Sequence, residues 1–215
     1  MNAFIPVLKP RDISSFAVVK GVRKIIGKEK IGHCGTLDPF ADGVLIIAIG
    51  RYTKLAELVM ESPKEYLALI ELGKTTDTLD TEGTIVREET VPEEINLDEL
   101  KEKFLGKQMQ KIPAFSAAKI DGKKFYELAR KGEEVPDRSK EIEIYNIDFE
   151  RKSHTLLEMK VLCSKGTYVR QLAEDIAAYL GTCGYLIELK RTQVGKVRLE
   201  ETLDFNKIDS VELKD

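Results

Sequence analysis

The sequence predicts an α+β fold, a mostly antiparallel mixed sheet flanked by helices and loops. Three observations lead there. Strand-like and helix-like stretches do not alternate regularly, which argues against a parallel βαβ array. Several runs show the period-2 alternation of strands, as in Tyr66, Ala68 and Ile70 against Leu67, Leu69 and Leu72. Hydrophobic residues make up 42% of the 215, enough to bury a core. No internal repeat or long linker divides the chain, so 1–215 reads as one domain.

Ser14 or Ser15 can cap a first helix, because a hydroxyl accepts from the free N–H groups of the opening turn. Phe16, Val19, Val22, Ile25 and Ile26 give that helix an apolar stripe, and Gly27 ends it. A polar, glycine-rich loop follows, Gly32 to Gly43. Within it Asp38 precedes Pro39, which pushes its backbone out of the helical region. Val44 to Ile49 is apolar, short and flanked by glycines, as a buried strand is. Arg51 to Met60 reads as a short helix, and Glu65 to Leu72 as a strand covered on both faces. A polar turn spans Thr75 to Gly83 and leads into a strand, Thr84 to Arg87. Pro92 to Leu105 is an acidic helix. Asp121-Gly122 signals a hairpin, and a short helix from Phe125 stops at Gly132. Ile142 to Phe149 and Leu156 to Leu162 alternate and are expected to pair antiparallel. Tyr168 to Leu180 is the last long helix, with Leu172, Ala173, Ile176 and Leu180 inward and Gly181 at its end. Tyr185 to Leu189 is a strand, and the tail from Phe205 is helical.

No apolar run approaches the roughly 20 residues of a membrane helix. Residues 1–10 lack the basic start of a secretory signal. Three scattered cysteines, Cys34, Cys163 and Cys183, fit a reducing cytoplasm rather than a disulfide framework. Net charge is −3, but residues 1–60 and 106–140 each carry +4 and residues 61–105 carry −8. Two basic blocks permit a phosphate-facing surface on an acidic protein; ordinary solvated surface has the same composition.

His33, Cys34, His154, Cys163 and Cys183 show no paired ligand spacing, so no metal is expected. Asp77-x-x-Asp80-x-x-Gly83 lacks the acid spacing and final Glu of a calcium loop and reads as a solvated turn. There is no phosphate-binding loop and no nucleophile elbow. What remains is Asp38, either a nucleophile of glycosyl chemistry or an Asp-Pro turn residue. Arg170 falls in the first turn of its helix, where the dipole disfavours a cation. It either pairs with Glu174 at i, i+4 or holds a carboxylate, and a pair with Asp38 would keep that group ionised. Tyr66 is a core residue with its hydroxyl at the rim, or a platform for a base.

One pattern joins these residues. Gly32-His33-x-Gly35-Thr36-Leu37-Asp38-Pro39-x-Ala41-x-Gly43-Val44-Leu45 is followed by Gly50-Arg51-x-Thr53-Lys54. Lys9-Pro10-x-x-x-Ser14-Ser15 precedes it. Gly73-x-x-Thr76-Asp77-Thr78-x-Asp80, Ser116-Ala117-x-Lys119-x-x-Gly122-Lys123, Cys163-Ser164-Lys165-Gly166-Thr167-Tyr168-Val169-Arg170 and Leu189-Lys190-Arg191-Thr192 come after. In this order and spacing the chain resembles the bacterial tRNA pseudouridine-55 synthases, the TruB family, over nearly its whole length.

The resemblance implies the pseudouridine synthase fold and isomerisation of uridine to pseudouridine at position 55, in the T-loop of tRNA. It implies no cofactor, no metal, no obligatory protein partner and a cytoplasmic location, and leaves room for tRNA-folding chaperone activity. By resemblance Asp38 is the catalytic aspartate, adding to the base or trapping the sugar carbon. Tyr66 stacks on the target base and helps remove the C5 proton. Arg170 pairs with Asp38. His33 helps hold the base out of its stack, and Tyr168 and Leu189 line its pocket. Lys9, Lys119, Lys123, Lys124 and Arg130 are expected at the tRNA T-arm, most of them on a thumb inserted near 107–140. Four departures stand out. Cys34 replaces the usual Thr or Ser, Asp12 stands where Gly is common, 112–116 is one residue short, and a C-terminal PUA domain is not expected.

Overall fold

The computed structural model describes residues 1–120 and 122–210; the side chains of 119, 120 and 208–210 lie outside that description. Asp121 of the hairpin signal is therefore outside the described residues. In chain order the first strands are β1 (Ala3–Lys9), β2 (Ile31–His33), β3 (Asp42–Ile49), β4 (Lys64–Leu72), β5 (Lys74–Thr76) and β6 (Ile85–Glu88). Then come β7 (Gly106–Lys111), β8 (Lys119–Ile120), β9 (Lys123–Lys124), β10 (Ser139–Arg151) and β11 (Leu156–Cys163). The last are β12 (Gly184–Val194), β13 (Val197–Arg198) and β14 (Leu203–Asp204). The helices are α1 (Ser15–Ile26), α2 (Ala56–Glu61), α3 (Leu97–Phe104), α4 (Phe125–Arg130) and α5 (Val169–Tyr179), with 3-10 turns at Gly50–Leu55, Leu199–Glu201 and Phe205–Ser210.

The chain forms two compact units. The first holds Met1–Ala68, Lys160–Lys165 and the residues from Glu188 onward. Here β1 runs antiparallel to β3, from Ala3 opposite Ile49 to Lys9 opposite Gly43. β2 is also antiparallel to β3, while β12 joins β3 in parallel at Lys190–Asp42 and Arg191–Gly43. On one face of β3, Leu45, Ile47 and Ile49 pack with Ile5, Val7 and the Val18, Val19 and Val22 stripe of α1. On the other, Val44, Ile46 and Ala48 pack with Cys34 and Val194. Burial on both faces explains the unbroken apolar run. Ser14 caps α1, its hydroxyl accepting from Ala17 N–H at 3.1 Å, and Gly27 ends the helix at φ 79°.

The second unit holds Leu69–Met159 and Gly166–Ile187. β7 and β10 pair antiparallel with Gln110 opposite Lys140, and β5–β6 and β8–β9 form two small hairpins. Helix α5 buries Leu172, Ala173, Ile176 and Ala177. The acidic helix starts at Leu97 rather than Pro92, because Asn96 accepts from Glu99 N–H and caps it there. Thr75 and Thr76 are strand residues rather than turn.

Candidate active site

In the first unit the loop that carries Asp38 leaves few backbone groups idle. Five consecutive carbonyls accept hydrogen bonds. Arg191 Nη2 reaches Gly35 at 3.3 Å and Nη1 reaches Thr36 at 3.1 Å. The Ser15 hydroxyl donates to Leu37 at 2.9 Å, and Ala41 N–H to Asp38 at 3.2 Å. Pro39 takes both Asp12 N–H at 2.8 Å and Lys9 Nζ at 3.1 Å. Asp38 is thus displayed, half-buried, from an irregular loop that cannot easily shift.

Lys9 was expected at the RNA. The structure corrects that: it is 0% exposed, and its ammonium also donates to Pro10 O at 2.8 Å and Ile13 O at 2.7 Å. With its donors on protein carbonyls it anchors the loop. Burial pushes its pKa down to about 8, against the pull of Asp42 and Asp38. Arg191, buried on β12, adds a bond from Nε to Val44 O at 2.7 Å. Gly43 makes room for that strand: at φ 118°, a Cβ there would stand 2.2 Å from Arg191 O.

Around Arg191 lie three of the expected residues. Tyr66 is 8% exposed, deeper than a rim position. Burial raises its pKa while the Arg191 guanidinium lowers it, so the phenol keeps its proton at neutral pH. His33, at the end of β2, has its pKa lowered by burial and then by Arg191, and its buried Nδ1 has no partner among the described residues. It is a neutral imidazole, able to donate at one nitrogen and accept at the other. Leu189 is buried two residues before Arg191 on β12.

In the second unit Arg170 is buried beside Asp80, at 3.3 Å from Nη1 to the carboxylate. It also donates to Thr78 O at 2.7 Å and Phe115 O at 2.9 Å. Glu174 instead accepts from Gln171. Asp80, read as part of a solvated turn, is 2% exposed and holds this guanidinium. Tyr168 immediately precedes α5, half-buried beneath Lys140. Lys124 and Arg130 flank the Tyr126 ring at 5.2 and 5.6 Å, a basic–aromatic cluster of the kind that suits RNA. Lys123 pairs loosely with Glu133 at 4.0 Å, and the side chain of Lys119 lies outside the described residues. No group of three or more His, Cys, Asp or Glu suited to a metal occurs among the described residues, and none of their helices is long and apolar enough to cross a membrane.

The model for the N-terminal domain of TruB family pseudouridylate synthases matches residues 23–169. This chain belongs to the TruB family. The tRNA pseudouridine synthase B of Clostridium tetani (strain Massachusetts / E88) is 41% identical to it, over 100% of this chain and 75% of that protein. That of Rickettsia felis (strain ATCC VR-1525 / URRWXCal2) is 41% identical over 98% of this chain and 64% of its own length. Among solved structures, a Cbf5-Nop10-Gar1 complex matches with a TM-score of 0.74 at 27% identity, over 96% of this chain and 53% of that one. The TruB-family chain is therefore a pseudouridine synthase by class, an isomerase. From the residues alone, Asp80, Arg191 and Ser15 take no part in the site; Ser15 reads only as a helix cap and Asp80 only as a turn residue. Their signal was only the placing of a charge or hydroxyl where a surface residue would serve as well.

Proposed function

We propose that the chain converts uridine to pseudouridine at position 55 in the T-loop of tRNA, with Asp38 as nucleophile on a flipped-out nucleotide. The name shared by its relatives, tRNA pseudouridine synthase B, supports the substrate class. The observation that carries the site is the loop whose carbonyls, from Gly35 to Pro39, are all engaged, since a nucleophile gains most from a fixed position. Overall the N1–C1′ bond breaks, a C5–C1′ bond forms, C5 loses its proton and N1 gains one. Nothing is oxidised or reduced. Asp38 adds to the base or bonds the sugar carbon while the uracil turns. Tyr66 stacks on the base, and only its minor phenolate form, which the nearby Arg191 favours, can take the C5 proton and return to the phenol. Neutral His33 holds the extruded base by hydrogen bonding, with Tyr168 and Leu189 as pocket walls. We assign Arg170, held by Asp80, the role of guanidinium partner to the catalytic carboxylate. Extrusion costs a few kcal/mol of stacking, which contacts from Lys123, Lys124 and Arg130 to the T-arm offset.

The experiment is tritium release from tRNA labelled at uracil C5, using the isolated chain and unmodified tRNA. Activity there also tests the expectation that no protein partner or cofactor is needed. Asp38→Asn should retain tRNA binding and lose turnover by on the order of 10⁴-fold or more. Turnover near the wild-type rate in that variant removes Asp38 from the role. Accelerated tRNA folding by the same inactive variant would establish a separate chaperone activity.

A further inference from the structure

Gln110 sits on β7, a strand of Gly, Lys, Gln and Met with no other fully buried residue, yet it is 1% exposed. Its side-chain oxygen accepts from Tyr168 N–H at 2.8 Å, and its amide nitrogen donates to Tyr168 O at 3.0 Å. One amide thus engages both main-chain groups of the residue that opens α5. Tyr168 makes no side-chain capping bond, and its carbonyl accepts both the Gln110 bond and the first helical bond, from Leu172 N–H at 3.0 Å.

Across the ladder Gln110 faces Lys140. The Lys140 ammonium stands 4.0 Å from the centre of the Tyr168 ring and also donates to Gly166 O. Gly166 passes beneath at φ 74°, where a Cβ would stand 2.9 Å from that nitrogen. A single cross-strand pair therefore fixes Tyr168 twice, by its backbone through Gln110 and by its ring through Lys140. Two residues later, in the same turn, Arg170 leaves the helix for Asp80.

We infer that Gln110 is a positioning residue for the isomerisation: acting through the start of α5, it sets where Tyr168 and Arg170 stand toward the uridine. The inference rests on the proposed function, which places those two side chains at the substrate. A buried glutamine that merely satisfies a helix end would affect stability alone. A positioning residue affects the chemical step as well.

The test compares Gln110→Met, which keeps length but neither hydrogen bond, with Gln110→Glu, which keeps an acceptor for Tyr168 N–H. Tritium release is measured at limiting and saturating tRNA. For the Met variant kcat should fall about 30-fold with KM within about threefold, and the Glu variant should recover part of the loss. Amide exchange at Tyr168 should speed up about 100-fold in the Met variant. A lower melting temperature with kcat unchanged overturns the inference, as does unchanged exchange at Tyr168. Should the wild-type chain itself fail to isomerise uridine, the proposed function falls. The exchange result then still decides whether Gln110 fixes the start of α5.

Discussion

The Ser15 hydroxyl accepts from Leu37 N–H and donates to Leu37 O, each at 2.9 Å. One hydroxyl has a single proton, so its one donated bond is spent on Leu37 O. Ser14 takes the cap of α1 and thereby frees Ser15 for the loop. Leu37 is 3% exposed, so in Ser15→Ala both of its main-chain groups lose their partner away from water. Burying such groups unpaired costs about 2 kcal/mol. Urea unfolding should show that loss, and turnover should drop about tenfold because Asp38 is the next residue. A stability change below about 0.5 kcal/mol would mean that Leu37 finds other partners. Asp12 is a second single-residue case. It adopts φ 65° and still donates its N–H to Pro39 O at 2.8 Å. Aspartate is among the few side chains at ease in the left-handed region, so the turn forms without a glycine at this position.

At the level of elements, two glycines of the Asp38 loop look alike in the sequence and differ in the fold. Gly43 meets Arg191 O at 2.2 Å and Arg191 N at 2.7 Å if given a Cβ, whereas Gly32 meets nothing within 4 Å. Gly43→Ala must therefore part β3 from β12 and move Arg191, with a loss of about 3 kcal/mol or more. Gly32→Ala should change stability by no more than about 1 kcal/mol in either direction. Comparable melting temperatures for the two variants would mean that the β3–β12 register is not what holds Arg191. The same contrast shows what the sequence conceals. Helices α1 and α5 and strands β3, β4, β10 and β11 were legible because apolar periodicity reports burial. β7 was not, since Gly106–Lys111 pairs with β10 mainly through its backbone and buries only Gln110. β1 was obscured by Pro6, a strand breaker that is tolerated where only β3 is a ladder partner, for β14 pairs just Val7 and Leu8. Among the candidate residues, Asp38 is marked by the proline after it, but only the family resemblance gives it a role. The burial of Asp80 and Arg191 was hidden, because a charge in a polar turn or strand gives no hint of it.

For the molecule as a whole, burial has moved several protonation equilibria into the alkaline range. Lys9 and Lys64, 0% and 6% exposed, are each pushed down to about 8 from 10.5. Between those values the folded chain has released protons that the unfolded chain still binds, so unfolding takes up protons and stability rises with pH. Each lysine should add about 1 kcal/mol between pH 8 and 9. Buried Cys34 works in the opposite sense. Its pKa is raised from 9.0 to about 11, so above pH 9 the unfolded chain loses a proton that the folded chain keeps, and its contribution declines. Tyr185, raised from 10.0 to about 12, adds to that decline above pH 10. The two lysines together outweigh Cys34 and Tyr185 until about pH 10, so the stability maximum lies near pH 10, above the usual range of about 5 to 8. Urea unfolding from pH 7 to 10.5 under reducing conditions should trace that dome. Lys9→Met should remove about 1 kcal/mol of the rise between pH 8 and 9, whatever its effect at pH 7. A profile flat from pH 7 to 9, with an identical shape in Lys9→Met, would mean that the loop carbonyls keep Lys9 charged well above pH 8, so that the anchor beneath Asp38 is a permanent cation.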